Sequence, residues 1–362
     1  MRAFIEGLTK LSMPAVVGTL LVALAWVIGG AMFVTPSFMG AINPGYLLAG
    51  NDVEDDFALQ TCRAYAIAAD RNPAAMDVVV MGASAMREAV VDAELVREPM
   101  ARRTGREVDV HLVMTAGMTH WEAVAVCDVI KPGVRGVVAL EVSAGKIAEP
   151  LRLLKDYARL PRMALVSPAF DREVELASVP VRATTGNYFL DHLEFFTSRP
   201  AIFVNLVRGP REPRMSRTYR WRTFSPPEWE AAVMKRREGL MSYEQMSGSH
   251  WAMLERLITA MQSGGQIKFV LLESPRNPAT FERLMSMDDS RAVLERYEAE
   301  VRQFASRLGI DYIDVSPEAE LKAEHFMDTS HIKDPAAKSR FGRLVGQRLA
   351  ALMPPGTENT AP

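Results

Sequence analysis

The chain is poor in the residues that build cofactor and metal sites. Its 362 residues include only two cysteines and six histidines. The histidines are dispersed and none falls at a zinc-ligand spacing, so no protein-held metal is expected. No glycine-rich loop of Walker or Rossmann form is present, which leaves no sequence basis for a nucleotide cofactor. Basic charge is not in excess either: 42 Lys and Arg face 44 Asp and Glu, for a formal charge of -2. Such a balance carries no electrostatic footprint for nucleic acid. Internal repeats and low-complexity tracts are also missing.

One further absence is informative. From Leu11 through Asn51 there is no charged residue, and Met13 to Val34 ("MPAVVGTLLVALAWVIGGAMFV") is almost wholly apolar. As a helix this stretch would span about 33 Å, enough for a bilayer core of about 30 Å. The apolar region of a cleaved signal peptide would be about 7–15 residues long, and no small-x-small cleavage site follows. An uncleaved transmembrane anchor over 13–34 is therefore expected. Arg2 and Lys10 precede it, whereas "NDVEDD" follows and the next basic residue is Arg63. The positive-inside bias predicts a cytoplasmic N-terminus over 1–12 and an extracytoplasmic domain over 51–353 in a single-pass inner-membrane protein. Residues 354–362 read as a disordered tail. That compartment permits disulfides, and Cys62 and Cys127 either bridge or remain two buried thiols.

Beyond the anchor, a helix over Val53–Asp70 leads into a strand–helix rhythm. "MDVVVMGAS" (Met76–Ser84), "VDVHLVMTAG" (Val108–Gly117), "RGVVALEVS" (Arg135–Ser143), "QIKFVLLES" (Gln266–Ser274) and "DYIDVS" are short apolar runs of the kind buried parallel strands use. Helical periodicity follows over Arg87–Thr104, His120–Ile130, Trp251–Ser263, Asp289–Leu308 and Pro335–Leu352. The alternation predicts an α/β fold, a parallel sheet covered on both faces. It breaks between about Ala144 and His250, which reads as a large insertion forming a cap, lid or partner surface.

In open parallel sheets, sites form beyond the carboxyl ends of the strands. Ser84 ends the first strand in "GASAM", Gly117 ends the second, and "DTSH" (Asp328–His331) follows the last. A serine hydroxyl needs a neighbouring base to take its proton. His331 has the chemistry for that, with Asp328 orienting the imidazole; the plainer alternatives are a helix cap at Ser84 and a turn at Asp328. His120 is either a substrate hydrogen-bonding group or a first-turn helix residue. Arg87 either binds an anion or is solvated at the surface. Glu273 is either a buried carboxylate with a raised pKa or an ion-pair partner of Arg276. Tyr188, Phe189, Phe195, Phe196, Tyr219, Trp221 and Trp229 either stack on sugar rings or pack a subdomain core.

"VVVMGASAMREAV", "TAGMTHWEAV" and "DTSHIKDPAAKSRFGRLVGQRLA" together resemble the SGNH (GDSL-type) hydrolases. The resemblance covers roughly Met76 to Leu352 apart from the insertion. It implies a three-layer, flavodoxin-like sheet, with the family's serine on Ser84, its second-block glycine on Gly117, and its Asp-x-x-His on Asp328 and His331. Two departures stand out: Ala83 occupies the usual Asp position, and "LEVSAGKI" holds no Gly-x-Asn-Asp. Ser143 or Gly145, or more remotely Asn277, would then replace the missing Asn as oxyanion donor beside Gly117.

With the anchor, the insertion and "VLLESPRNP", the chain is more similar to the membrane-anchored envelope branch. That branch holds D-alanyl-transfer proteins of the DltD type and polysaccharide O-acetylation proteins of the AlgJ/AlgX type. The resemblance implies acyl transfer to or from an envelope glycan through an acyl-Ser84, beside a membrane-bound O-acyltransferase. The rival expectation is a non-catalytic SGNH-like scaffold that binds glycan or docks on such a transferase. A plain secreted lipase is a third reading, which the anchor opposes.

Overall fold

A computed structural model describes residues 13–50, 52–69, 72, 74–199, 201–212 and 222–355. The expected cytoplasmic segment 1–12, most of the expected tail, and Tyr219 and Trp221 lie outside the described residues.

The helix Met13–Phe33 is long and apolar enough to cross a membrane. Leu20, Leu21, Val22 and Leu24 stand open around it. Its far end is docked. Trp26 packs edge-on to Phe189 with centroids 5.7 Å apart, and the absence of a side chain at Gly30 makes room for the same ring. Asn187 Nδ2 donates to the Ala31 carbonyl at 2.9 Å.

Five parallel strands form one sheet in the order β2-β1-β3-β4-β5: β1 is Met76–Gly82, β2 Val108–Met114, β3 Gly136–Val142, β4 Ile267–Glu273 and β5 Asp311–Ile313. Both faces are buried, which explains why the strands read as unbroken apolar runs. Alternate residues of β1 feed two separate cores. Val79 and Met81 pack with Phe57, Trp121, Leu254 and Val301 of the helices Asp52–Ala69, His120–Ile130, Tyr243–Gln262 and Asp288–Leu308. Val78 and Val80 pack with Met86, Met100 and Phe341 of Ser84–Ala89, Glu94–Thr104 and Pro335–Ala351. The chain reverses its direction of travel across the sheet between β1 and β3, which opens a crevice at their carboxyl ends.

One expectation is corrected and one open alternative is decided. The helix anticipated over Arg87–Thr104 is two helices: Ser84–Ala89 stops at the β-branched pair Val90–Val91, and Asp92 restarts the chain by accepting the N–H of Glu94 at 2.9 Å. Between β3 and β4 the chain is helical and forms no strand among its described residues. There Tyr188, Phe189, Phe195 and Phe196 are buried against one another, and Trp229 leans on the same core. They are packing residues, not open stacking platforms. Cys62 and Cys127 are both free and buried; burial pushes the Cys62 thiol up to about 12.

Candidate active site

Ser84 is the first residue of its helix, reached through Gly82 and Ala83 at the end of β1. Gly82 is required for the close approach of Glu141 from β3. A Cβ at Gly82 would lie 2.6 Å from Glu141 Oε2 and 2.8 Å from the Met86 Cβ. Through that gap Glu141 accepts the N–H of Ala83 with one oxygen and the Ser274 hydroxyl at 2.5 Å with the other. Lys146 Nζ stands 3.9 Å from it. A single buried carboxylate thus ties together the ends of β1, β3 and β4, and sets the direction in which Ser84 points.

Asp328 and His331 lie on a tight loop closed by a bridge between Phe326 and Ile332. Asp328 Oδ1 accepts the N–H groups of Ser330 and His331, each at 2.8 Å, so the backbone itself holds the carboxylate in place. Its Oδ2 is 2.6 Å from His331 Nδ1, and His331 Nε2 is 2.9 Å from Ser84 Oγ. With Nδ1–H donated to Asp328, Nε2 is left to accept the serine proton. Burial pushes the Asp328 carboxyl up, but the hydrogen bond and charge of His331 and the two backbone N–H groups outweigh it, leaving the carboxyl below its usual range. Asn277, which caps the helix Pro278–Met285, also donates Nδ2 to the Asp328 carbonyl at 2.8 Å.

Ser84, His331 and Asn277 border a cavity of about 410 Å³. Its polar lining includes Ser84, Ser143, Arg236 and His331, and its apolar lining Leu240, Phe281, Leu284 and Leu294. Ser143 and Gly145 therefore reach the pocket. Ser143 Oγ caps a short helix by accepting the N–H of Lys146 at 3.4 Å, which leaves its own proton free to be donated.

Three expectations fail here. Gly117 adopts the left-handed turn after β2 (φ 61°) and is not among the lining residues; its carbonyl accepts from Arg162 Nη2 at 3.0 Å. His120 is only 1% exposed, with Nε2 on the Glu141 carbonyl at 3.1 Å, so it supports β3 from below instead of meeting substrate. Burial above all, then Lys146 and His250, hold it well below the usual histidine range and hence neutral. Arg87 is neither an anion receptor nor solvated, because it is buried in ion pairs with Asp56 and Glu88, the latter also meeting Lys338 at 3.2 Å.

Glu273 combines both of its alternatives. Burial pushes it up to about 7, while Arg276 Nη2 lies 3.8 Å away and the hydroxyls of Tyr297 and Tyr312 sit at 2.6 and 2.7 Å.

Sequence reasoning missed Glu141 and Arg236. An acidic residue inside the apolar run "GVVALEV" was the available signal for Glu141, since a buried carboxylate must be hydrogen-bonded or paired. Arg236 sits in the plain helical string "MKRREG" and gave none. Among the described residues no cluster of His, Cys, Asp or Glu is arranged to hold a metal ion. Compared with known proteins, the chain matches no protein-family model and no curated sequence.

Proposed function

We propose that the chain is a membrane-anchored serine acyltransferase or esterase of SGNH type, acting on a hydroxyl of a cell-envelope polysaccharide. The observation that carries this reading is the relay Asp328 Oδ2–His331–Ser84 Oγ, with steps of 2.6 and 2.9 Å. His331 Nε2 removes the serine proton as Oγ attacks the acyl carbonyl, and Asp328 stabilises the imidazolium that forms. The oxyanion is met by the Ser84 N–H, with Ser143 or Gly145 in the place the missing Asn would hold. The imidazolium then returns its proton to the departing group, leaving acyl-Ser84. In the second half His331 deprotonates a glycan hydroxyl, or water, which takes the acyl group.

In this reading residues 13–34 anchor the protein in the inner membrane, the N-terminus faces the cytoplasm, and 51–353 is an extracytoplasmic three-layer domain. The stretch 144–250 is then its insertion. A membrane-bound O-acyltransferase is the expected supplier of acyl groups. Arg236 and Leu240, which border the pocket, come from the inserted stretch, and exclusion of water by that wall would favour transfer over hydrolysis.

A scaffold without catalysis is favoured by one observation: among the described residues the only asparagine bordering the pocket, Asn277, already spends its side chain on Asp328 and Ala279. A fluorophosphonate probe separates the two. Stoichiometric labelling of the full-length protein that disappears in Ser84→Ala is the expected result. No labelling of the wild type would leave the scaffold.

A further inference from the structure

A second cavity, of about 450 Å³, shares no lining residue with the one beside Ser84. It lies where the apolar helix Met13–Phe33 meets the domain. Pro36, just beyond the end of that helix, lines it, as do Gly186 and Tyr188 on either side of the Asn187 that holds the Ala31 carbonyl. The domain grips the helix well short of its end. Phe189 packs on Trp26, and from Trp26 to Phe33 the helix runs on for about 10 Å. That overlap matches the depth, about 5–10 Å, to which interfacial apolar surfaces enter a bilayer. A membrane crossed by this helix therefore reaches the level of the cavity.

The buried polar side chains of its lining are already committed to the protein. Glu122 accepts from Arg162 Nε at 2.8 Å, Ser167 donates to Asp128 at 2.8 Å, Tyr188 donates to the Ala164 carbonyl at 2.7 Å, and His192 Nδ1 lies 2.9 Å from the Tyr188 carbonyl. Around them the wall is apolar, with Ala125, Ala158, Met163, Leu165, Phe170 and Val174. Such a wall gives water few partners and favours hydrocarbon. Val166 and Val181 also line the cavity and are exposed, so its mouth is apolar too. The outer wall, 179–185, has no helix or strand and is tied at its ends. Val179 donates its N–H to the Val174 carbonyl at 3.0 Å, and the Thr185 N–H and hydroxyl reach Asp191 at 2.6 and 2.8 Å.

We infer that this cavity is a lipid site, which takes one acyl chain of a membrane phospholipid from the leaflet that meets the domain. The chain passes the exposed valines and lies along the apolar wall. The headgroup stays in water at the mouth, where Asp171 and Arg182 are exposed. Each methylene buried there contributes about 0.8 kcal/mol. A chain so held fastens the stretch between β3 and β4 to the bilayer at a second point beside the helix. This inference rests on the helix Met13–Phe33 crossing a membrane, and not on the chemistry at Ser84.

The test uses the full-length protein in vesicles of phosphatidylethanolamine and phosphatidylglycerol. The vesicles also carry a phosphatidylethanolamine with a diazirine at the end of one acyl chain. After irradiation, adducts are mapped on peptides by mass spectrometry. Adducts are expected on the cavity wall between Tyr157 and Val174 as well as on the helix Met13–Phe33. Ala158→Phe fills the cavity from one wall, and Val181→Asp sets a charge at the exposed mouth without touching the core. Each should cut the cavity adducts about tenfold and leave those on the helix unchanged.

Adducts on the helix alone overturn the lipid site and leave the membrane span standing. Adducts on neither overturn both. Cavity adducts that persist undiminished in Val181→Asp mark non-specific contact and also overturn the site. If Ala158→Phe does not fold, Val181→Asp decides alone, since its side chain is exposed. Fluorophosphonate labelling of Ser84, measured on the same wild-type sample, stands or falls separately from all of these outcomes.

Discussion

The sheet with its carboxyl-end loops and the helical stretch between β3 and β4 solve different problems with similar residues. At the sheet edge, polar side chains are fixed by backbone groups: Asp328 by two N–H donors of its own loop, Glu141 by the N–H of Ala83. In the helical stretch, aromatic rings are fixed by one another. Phe189 stacks on Phe196 at 5.1 Å and touches the N-terminal apolar helix through Trp26. Replacements at the sheet edge should therefore change chemistry with little change in stability. Replacements among the rings should do the reverse.

The largest effect expected is at the sheet edge. Asp328→Asn or His331→Ala should lower acyl turnover by about four orders of magnitude, with a melting temperature close to wild type. A matching loss of stability would show that the loop is structural and blur the contrast. Next, Phe189→Ala should cost about 3–5 kcal/mol of unfolding free energy, measured by denaturant titration in detergent, while the folded fraction keeps its turnover. Turnover lost without destabilisation would mean that the helical stretch takes part in the chemistry.

A smaller effect sharpens the same boundary. Glu141→Gln gives up an acceptor oxygen, so either the Ala83 N–H or the Ser274 hydroxyl loses its partner, at about 1–3 kcal/mol. Because that carboxylate aims Ser84, fluorophosphonate labelling should slow as well, whereas Phe189→Ala should leave the labelling rate alone.

The smallest is a pH effect at the end of β4. Glu273 is held up to about 7 by burial, against an ordinary 4.5. As pH rises from about 4.5 towards 7, the unfolded chain releases this proton and the folded chain retains it, so Glu273 makes stability decline across that window. Denaturation midpoints taken through the window should fall less steeply in Glu273→Gln. An unchanged slope would mean that Glu273 stays ionised beside Arg276.

Much of the frame was legible because burial on both faces writes each strand as an unbroken apolar run. The helix His120–Ile130 was equally plain from its periodicity and coincides with the observed element. Ser84, Asp328 and His331 were legible because each sits just past a strand end, where a parallel sheet gathers its side chains. His120 and Gly117 misled for the same reason: they also follow a strand end, but β2 is an edge strand one position removed from the crevice. The aromatic cluster could not be assigned from spacing, since rings that bind sugars and rings that pack a core have the same local pattern.

What the sequence determined alone was set by local chemistry: an uncharged helix long enough to cross a membrane, five apolar strands, and an Asp-x-x-His turn whose carboxylate its own backbone can hold. Only the tertiary structure decided which polar groups share one cavity. Strand order and helix packing bring Ser84 to His331, slide Glu141 beneath Gly82, and gather Glu273, Glu298 and Asp314 around Arg276. Those outcomes depend on contacts between residues tens to hundreds of positions apart, and no local pattern encodes such distances.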